Sequence, residues 1–285
     1  MERMPEGDTV FRTARAIHRA FAGRRLTASD LRVPRLAASD LTGWTVIESV
    51  SRGKHLLLRM RTPEVEQAMT LHSHLGMDGS WRVYAVGERW RVRRRHLVRA
   101  VLRTADAIAV GCQLREISLV PTGQEKNLVD HLGPDLLGPG WEPDEAVRRL
   151  ARRPTTEIGV ALRDQRNLAG IGNVYCSEVL FLRGVWPWTP LAQVADLPAL
   201  VALAHRLLEA NRDRAVRTTT GSLRRGETTY VYGRRGEPCR RCGTSVEAAP
   251  QGASSGTSAP APDRALTRTT FWCPGCQPEV RAPPS

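Results

Sequence analysis

The chain is 285 residues long, 41% hydrophobic and 25% charged, the balance of a soluble globular protein with room for about two domains. Its formal net charge of +13 and pI near 10.6 favour a polyanionic partner, nucleic acid first, because basic side chains neutralise phosphates and release their counterions. No run approaches the roughly 20 apolar residues of a spanning helix, and no apolar signal segment opens the chain, so a membrane protein is disfavoured and a cytosolic one expected.

The chain begins MERMPEGDTV, and Pro5 is the first residue of interest. Inside a chain its nitrogen is a tertiary amide, with no proton and almost no nucleophilicity. If translation began at Met4 and that methionine were removed, the same nitrogen would be a free secondary amine. From Asp8 to Gly23, Val10, Ala14, Ile17 and Phe21 recur at helical spacing, which predicts a helix capped by Asp8 or Thr9 and stopped at Gly23. From Leu41 to about Leu119, short runs such as WTVIESV, HLLLRM, GSWRVYAV, HLVRAVLRT and AIAVG alternate with Gly, Arg and Pro. They predict the strands of a sandwich or barrel.

After a Gly/Pro break at 133–141, four stretches carry an apolar face at period 3.6: PDEAVRRLARR, TTEIGVALRDQ, GNVYCSEVLFLRG and DLPALVALAHRLLEANRDRA. Residues 247–263, EAAPQGASSGTSAPAPD, read as a low-complexity disordered insert, and EVRAPPS as a loose tail. The boundaries expected are 1–125, 126–235 and 236–285.

Of 42 basic residues only Lys54 and Lys126 are lysines, which leaves 40 arginines. Codon bias in a GC-rich genome accounts for such a skew. A lysine kept in this background is still a candidate for proton transfer, which arginine performs poorly. Cys112 and Cys176 stand alone and read as buried small residues. Cys239-x2-Cys242 and Cys273-x2-Cys276 form two knuckles, each supplying two thiolates, and together they predict one closed tetrahedral Zn²⁺ site with no open position for catalysis. The 30 residues between the knuckles exceed the usual spacing, and a hairpin with an enlarged tip explains the excess. In LAGIGNVYCSEVLF, Tyr175 stands where a dinucleotide loop needs its third glycine, and helix precedes it instead of a strand. What remains is a glycine-rich turn at Gly170 and Gly172 with a helix opening near Asn173, which is either a plain interhelical turn or a phosphate site at a helix N-terminus.

Taken in order, MPEGDTV, RGKHLLL, SHLGMDGSW, LAGIGNVYCSEVLF and CRRCG…RTTFWCPGC resemble the formamidopyrimidine-DNA glycosylase and endonuclease VIII family of base-excision repair enzymes. The MPEGDT start is more similar to the actinobacterial endonuclease VIII branch. The resemblance runs to about residue 277. It implies an α+β fold with an N-terminal two-layer β-sandwich, a central helix-two-turn-helix domain and a C-terminal zinc hairpin, acting on damaged DNA as a monomer. It also implies a bifunctional glycosylase and lyase in which an N-terminal proline attacks C1′, the base leaves, a Schiff base forms, and elimination cuts the strand.

Carried over residue by residue, the resemblance makes Pro5 the nucleophile, Glu6 the proton-transfer carboxylate and Lys54 the catalytic lysine. Asn173 becomes a phosphate ligand. Arg268 becomes the hairpin arginine that grips phosphates and assists the second elimination. Met77 becomes a wedge filling the space of an extruded base, with a core methionine as the alternative. His72 and His74 read as scaffold polar residues, and Lys126 as a surface residue. Three features depart from the family: Met1-Glu2-Arg3 would block Pro5, the insert precedes Arg268, and 110–120 contains no match for the other void-filling residues. Oxidised pyrimidines are the expected lesions. A purine-lesion enzyme and a non-catalytic damage sensor of the same fold are the alternatives.

Overall fold

The computed structural model describes residues 4–62, 68–90, 95–252 and 267–279. They divide into two units, Met1–His131 and Leu132–Ser285.

The first unit opens with helix α1 (Gly7–Phe21), followed by strands β1 (Ala28–Leu31), β2 (Thr45–Arg52), β3 (His55–Arg61), β4 (Ala68–His74), β5 (Ser80–Ala85), β6 (Val98–Arg103), β7 (Ala107–Cys112) and β8 (Glu116–Pro121). They form two antiparallel four-stranded sheets, ordered β1-β6-β7-β5 and β2-β3-β4-β8. One core joins both sheets to the helix: Val10, Ala14, Ile17 and Phe21 from α1, Leu56, Leu58 and Met60 from β3, Leu71 from β4, and Ala100, Leu102 and Ala109 from β6 and β7. This is the expected sandwich, and the apolar stripe of α1 is the one its spacing predicts. The cap differs. Glu6 holds the N-cap position in place of Asp8 or Thr9, its carbonyl accepting from the N–H groups of Thr9 (2.9 Å) and Val10 (3.0 Å). Glu6 itself is extended, at φ −125° and ψ −174°, so the first turn closes on its backbone carbonyl and not on a capping side chain. A short helix, α2 (Lys126–Val129), ends the unit.

The second unit contains helices α3 (Pro143–Ala151), α4 (Ile158–Arg163), α5 (Asn173–Arg183) and α6 (Leu197–Asn211), one for each amphipathic stretch. Helix α5 is buried along nearly its whole length, with α4 and α6 packed on it and α3 packed on α6. Gly172 caps its start, and Gly184, left-handed at φ 66°, ends it by donating to the Phe181 carbonyl while Val185 reaches back to Leu180.

Two strands complete the unit, β9 (Glu247–Gln251) and β10 (Arg268–Trp272), paired antiparallel with Gln251 opposite Arg268. The sequence places 247–263 in a disordered insert. The structure corrects its first part, because Glu247–Gln251 is a strand, and residues 253–263 lie outside the described residues. Alanine and proline disfavour strands intrinsically, but pairing with β10 and burial of Gln251 (2% exposed) override that preference. The loose tail expected at the C-terminus lies outside the described residues beyond Glu279.

Candidate functional site

In the first unit Pro5 and Glu6 are both buried, Glu6 completely, at the N-terminal end of α1. That end carries the positive pole of the helix dipole, which favours a carboxylate. The helix packs on β2 and β3, and the turn joining those strands carries Lys54. Arg52 pairs with His55, so Gly53 and Lys54 form a two-residue hairpin loop. Gly53 adopts φ 57°, the positive value that the first central residue of such a loop requires and that a β-carbon would strain. The RGK triplet is therefore a geometric device for presenting a half-buried lysine at a hairpin tip. Lys126, by contrast, is exposed at the start of α2.

Beside Lys54 lies a histidine cluster that the sequence does not announce. His55 Nδ1 lies 2.8 Å from His72 Nε2, with the two rings stacked 5.1 Å apart, and His72 Nδ1 is 3.2 Å from the Ser118 hydroxyl. The rings of His74 and His131 meet His55 edge-on at 5.0 and 6.1 Å. Burial, with His74, His72, His131 and Lys54 as like charges, pushes His55 down to about 3, and burial pushes His74 down to about 4. Burial also lowers His72, against the pull of Glu116 and Glu125. Burial thus favours the neutral form of His72 and His74 beside Lys54.

A stability effect follows. His55 and His74 are neutral in the fold but would each take up a proton on unfolding once pH drops below 6.5. Between pH 6.5 and about 4 the unfolded chain binds more protons, so stability falls as pH falls, by at most about 1.4 kcal/mol per pH unit per histidine. Thermal melts between pH 7 and 5 should show this slope, and His55→Gln should flatten it. An unchanged slope in that variant would acquit the cluster.

Met77 sits in the β4–β5 turn and is 51% exposed, which removes the core-methionine reading. The turn at Gln113–Arg115 lies against it: a Cβ on Gly76 would stand 2.9 Å from the Arg115 Cβ, and one on Gly79 would stand 2.8 Å from the Gln113 carbonyl. Gln113 has φ 49°, the one positive value among the described non-glycine residues, and Gln113 and Arg115 are both exposed. Both lie within 110–120, the stretch in which the sequence offers no match for further void-filling residues.

In the second unit Asn173 and the Arg268 strand come together. Asn173, the first residue of α5, donates from Nδ2 to the Thr269 carbonyl at 2.7 Å. Its Oδ1 accepts from Arg163 Nη1 at 2.9 Å, and Arg163 continues to Thr270 Oγ1 (2.9 Å) and Gln251 Oε1 (3.0 Å). Glu178, fully buried on α5, accepts from the N–H groups of Tyr230 (2.8 Å), Val231 (2.9 Å) and Tyr232 (2.9 Å), and from the Thr219 hydroxyl. It ties the helix to the segment leading into the first cysteine knuckle.

Cys239, Cys242, Cys273 and Cys276 bring their four Sγ atoms within 4.8 Å of one another, so they can hold one metal ion. Phe181, Val231 and Val246 pack around Cys239 and Cys273. Hydrogen bonds from Thr244 draw the Cys242 thiol down to about 6, already favouring thiolate, while burial raises Cys273 and Cys276. Cys112 is half-buried, and Cys176 is fully buried with its thiol directed at the Gly159 carbonyl. Among the described residues no helix is long and apolar enough to cross a membrane.

Comparison with known proteins brings these features together. The formamidopyrimidine-DNA glycosylase N-terminal domain model matches residues 4–115, and the H2TH domain model of the same family matches 132–225. The chain is 54% identical to "Probable endonuclease 8 2" of Streptomyces coelicolor, over 96% of this chain and 94% of that protein. It is 44% identical to "DNA-(apurinic or apyrimidinic site) lyase Nei2" of Mycolicibacterium smegmatis, over 96% and 99%. Endonuclease 8 of Escherichia coli is 32% identical over 96% of this chain and 100% of its own length. A structure of Lactococcus lactis Fpg with DNA containing N7-benzyl-Fapy-dG superimposes with a TM-score of 0.73 at 23% identity, covering 96% of this chain and all of that one, a likeness of fold.

Proposed function

The chain belongs to the formamidopyrimidine-DNA glycosylase family, and on that premise we propose that it is a bifunctional DNA glycosylase and abasic-site lyase of base excision repair, directed at oxidised pyrimidines. The observation that carries the reading is the 54% identity to an endonuclease 8 over nearly the whole chain. The placement of Pro5 and Glu6 at the buried start of α1 supports it. Damaged DNA is the partner, the protein acts as a monomer, and the bacterial cytoplasm is the setting.

In this reading the Pro5 nitrogen, freed of the residues before it, attacks C1′ of the damaged nucleotide. The bond from C1′ to the base breaks as the base takes up a proton, and Glu6 then delivers a proton to the sugar ring oxygen, so that the C1′–O4′ bond opens and a C1′=N iminium forms on Pro5. The resulting iminium draws electrons from C2′, whose proton leaves as the 3′ phosphate departs and the strand is cut. Lys54 supplies a proton-transfer group, Asn173 and Arg268 hold phosphates, and Met77 enters the space of the extruded base.

Duplexes carrying a single oxidised pyrimidine or a single oxidised purine test the claim with the form that begins at Pro5. Strand cleavage is expected to be faster on the pyrimidine. Faster cleavage of the purine would reverse the lesion assignment. Tight binding without cleavage of either would make the protein a damage sensor.

The metal of the cysteine site is zinc in this reading. Zn–S bonds near 2.3 Å in a tetrahedron set sulfur–sulfur edges of roughly 3.8 Å. The Sγ pairs Cys239–Cys276 (3.9 Å), Cys242–Cys276 (3.5 Å) and Cys242–Cys273 (3.4 Å) lie around that value. Four protein ligands leave no open position, so the ion would cross-link the hairpin without entering the chemistry. One Zn²⁺ per chain is expected by metal analysis, and Cys242→Ser should lower both zinc occupancy and DNA affinity. Purified protein with no zinc and four freely reactive thiols would remove the assignment.

A further inference from the structure

We propose that Arg163 is a positioning residue for DNA binding, orienting the Asn173 amide and locking the strand that carries Arg268 to the start of α5. This rests on the reading of Asn173 and Arg268 as phosphate ligands and extends it to a residue outside every motif of the family resemblance.

The geometry is specific. Arg163 ends α4, and its half-buried guanidinium forks across three elements: Asn173 on α5, Thr270 on β10 and Gln251 on β9. Thr270 and Gln251 are 0% and 2% exposed, so both acceptors are fixed in place. Thr270 Oγ1 also donates to Gln251 Oε1 at 2.9 Å, and Gln251 Nε2 donates to Glu157 Oε2 at 2.8 Å and to the Pro187 carbonyl at 2.9 Å. A Cβ on Gly159 would collide with the Gln251 side-chain amide, so glycine at that position is what lets Gln251 come this close to α4.

Chemistry gives the fork its purpose. An asparagine amide can present either its oxygen or its nitrogen to a ligand, and only the nitrogen is a donor to phosphate. Arg163 can only donate, so it holds the Asn173 oxygen, while the Thr269 carbonyl can only accept and takes one amide hydrogen. The second amide hydrogen is then left in a defined direction at the helix N-terminus, where an anion is already favoured. Without Arg163 one of these two pins is lost, and the oxygen can turn toward an incoming phosphate and repel it. The three Arg163 acceptors are neutral, so the arginine also leaves positive charge beside the site.

The test is a double-mutant cycle on affinity for abasic-site duplex DNA, using the full chain with zinc content and melting temperature recorded for each variant. Asn173→Ala and Arg163→Met are each expected to weaken binding by about tenfold, the order of one hydrogen bond to a charged group. The double variant should be no weaker than the poorer single one, because both remove the same contact. Arg163→Lys keeps the charge but cannot fork, and should bind nearly as poorly as Arg163→Met. If Arg163→Met does not fold, the lysine variant decides alone. Wild-type affinity in Arg163→Lys would show that charge suffices and overturn the orienting role. Fully additive losses, or a weakened Asn173→Ala beside an unaffected Arg163→Met, would overturn the inference and leave the phosphate reading standing. An unaffected Asn173→Ala would overturn both.

Discussion

Two forms of this protein, one beginning at Met1 and one at Pro5, are expected to bind lesion DNA alike, and only the second to form a borohydride-stable crosslink to it. Binding draws on basic side chains that both forms share. Crosslinking needs a nitrogen that can add to C1′ and then carry a double bond, and an amide nitrogen can do neither. A free α-amine with an ordinary pKa of 7.7–8.0 is unprotonated roughly 400-fold more often at neutral pH than a lysine near 10.4, so a freed Pro5 outcompetes Lys54 as nucleophile. The family match begins at Met4, in keeping with the proposed start that leaves Pro5 first. Methionine is removed readily before proline and poorly before glutamate, so the Met1 form would keep its block. Equal crosslinking by both forms would show that another amine is the nucleophile.

Lys54→Arg is expected to keep most of the DNA affinity and to lose base excision by about 100-fold or more, within the range of a lost proton-transfer group. A guanidinium preserves the charge but does not give up a proton near neutral pH, and its planar head does not match the compact ammonium. The tip of the β2–β3 hairpin tolerates the longer side chain, because Gly53 bears the backbone constraint while Lys54 is only half-buried. Excision rate at saturating enzyme separates the two roles, since it is insensitive to modest changes in affinity. Near-normal turnover on an oxidised-pyrimidine duplex would reduce Lys54 to electrostatics. Parallel loss of affinity and rate would point to misfolding of the hairpin.

Much of this protein was legible before any fold was known. The α1 stripe of Val10, Ala14, Ile17 and Phe21, the glycine turn before Asn173 and the two cysteine knuckles are local patterns, set by helix period, backbone freedom and ligand spacing within a few residues. Such patterns survive in one dimension because their physics is short-range. Low lysine content pointed to Lys54 for the same reason, as a matter of composition. What only the tertiary structure decided involves partners far apart in the chain. Glu247–Gln251 is a strand because β10 pairs with it, against the preference of its own alanines and proline. His55, His72 and His131 meet through the sheet order that sets β3 beside β4 and through the segment that follows β8, and their neutrality comes from burial that no single stretch encodes. Arg163 reaches Gln251 and Thr270 across 88 and 107 positions of sequence. Hydrogen bonds act over about 3 Å of space whatever the separation along the chain, so the clamp on Asn173 exists only once α4, α5 and the hairpin have packed.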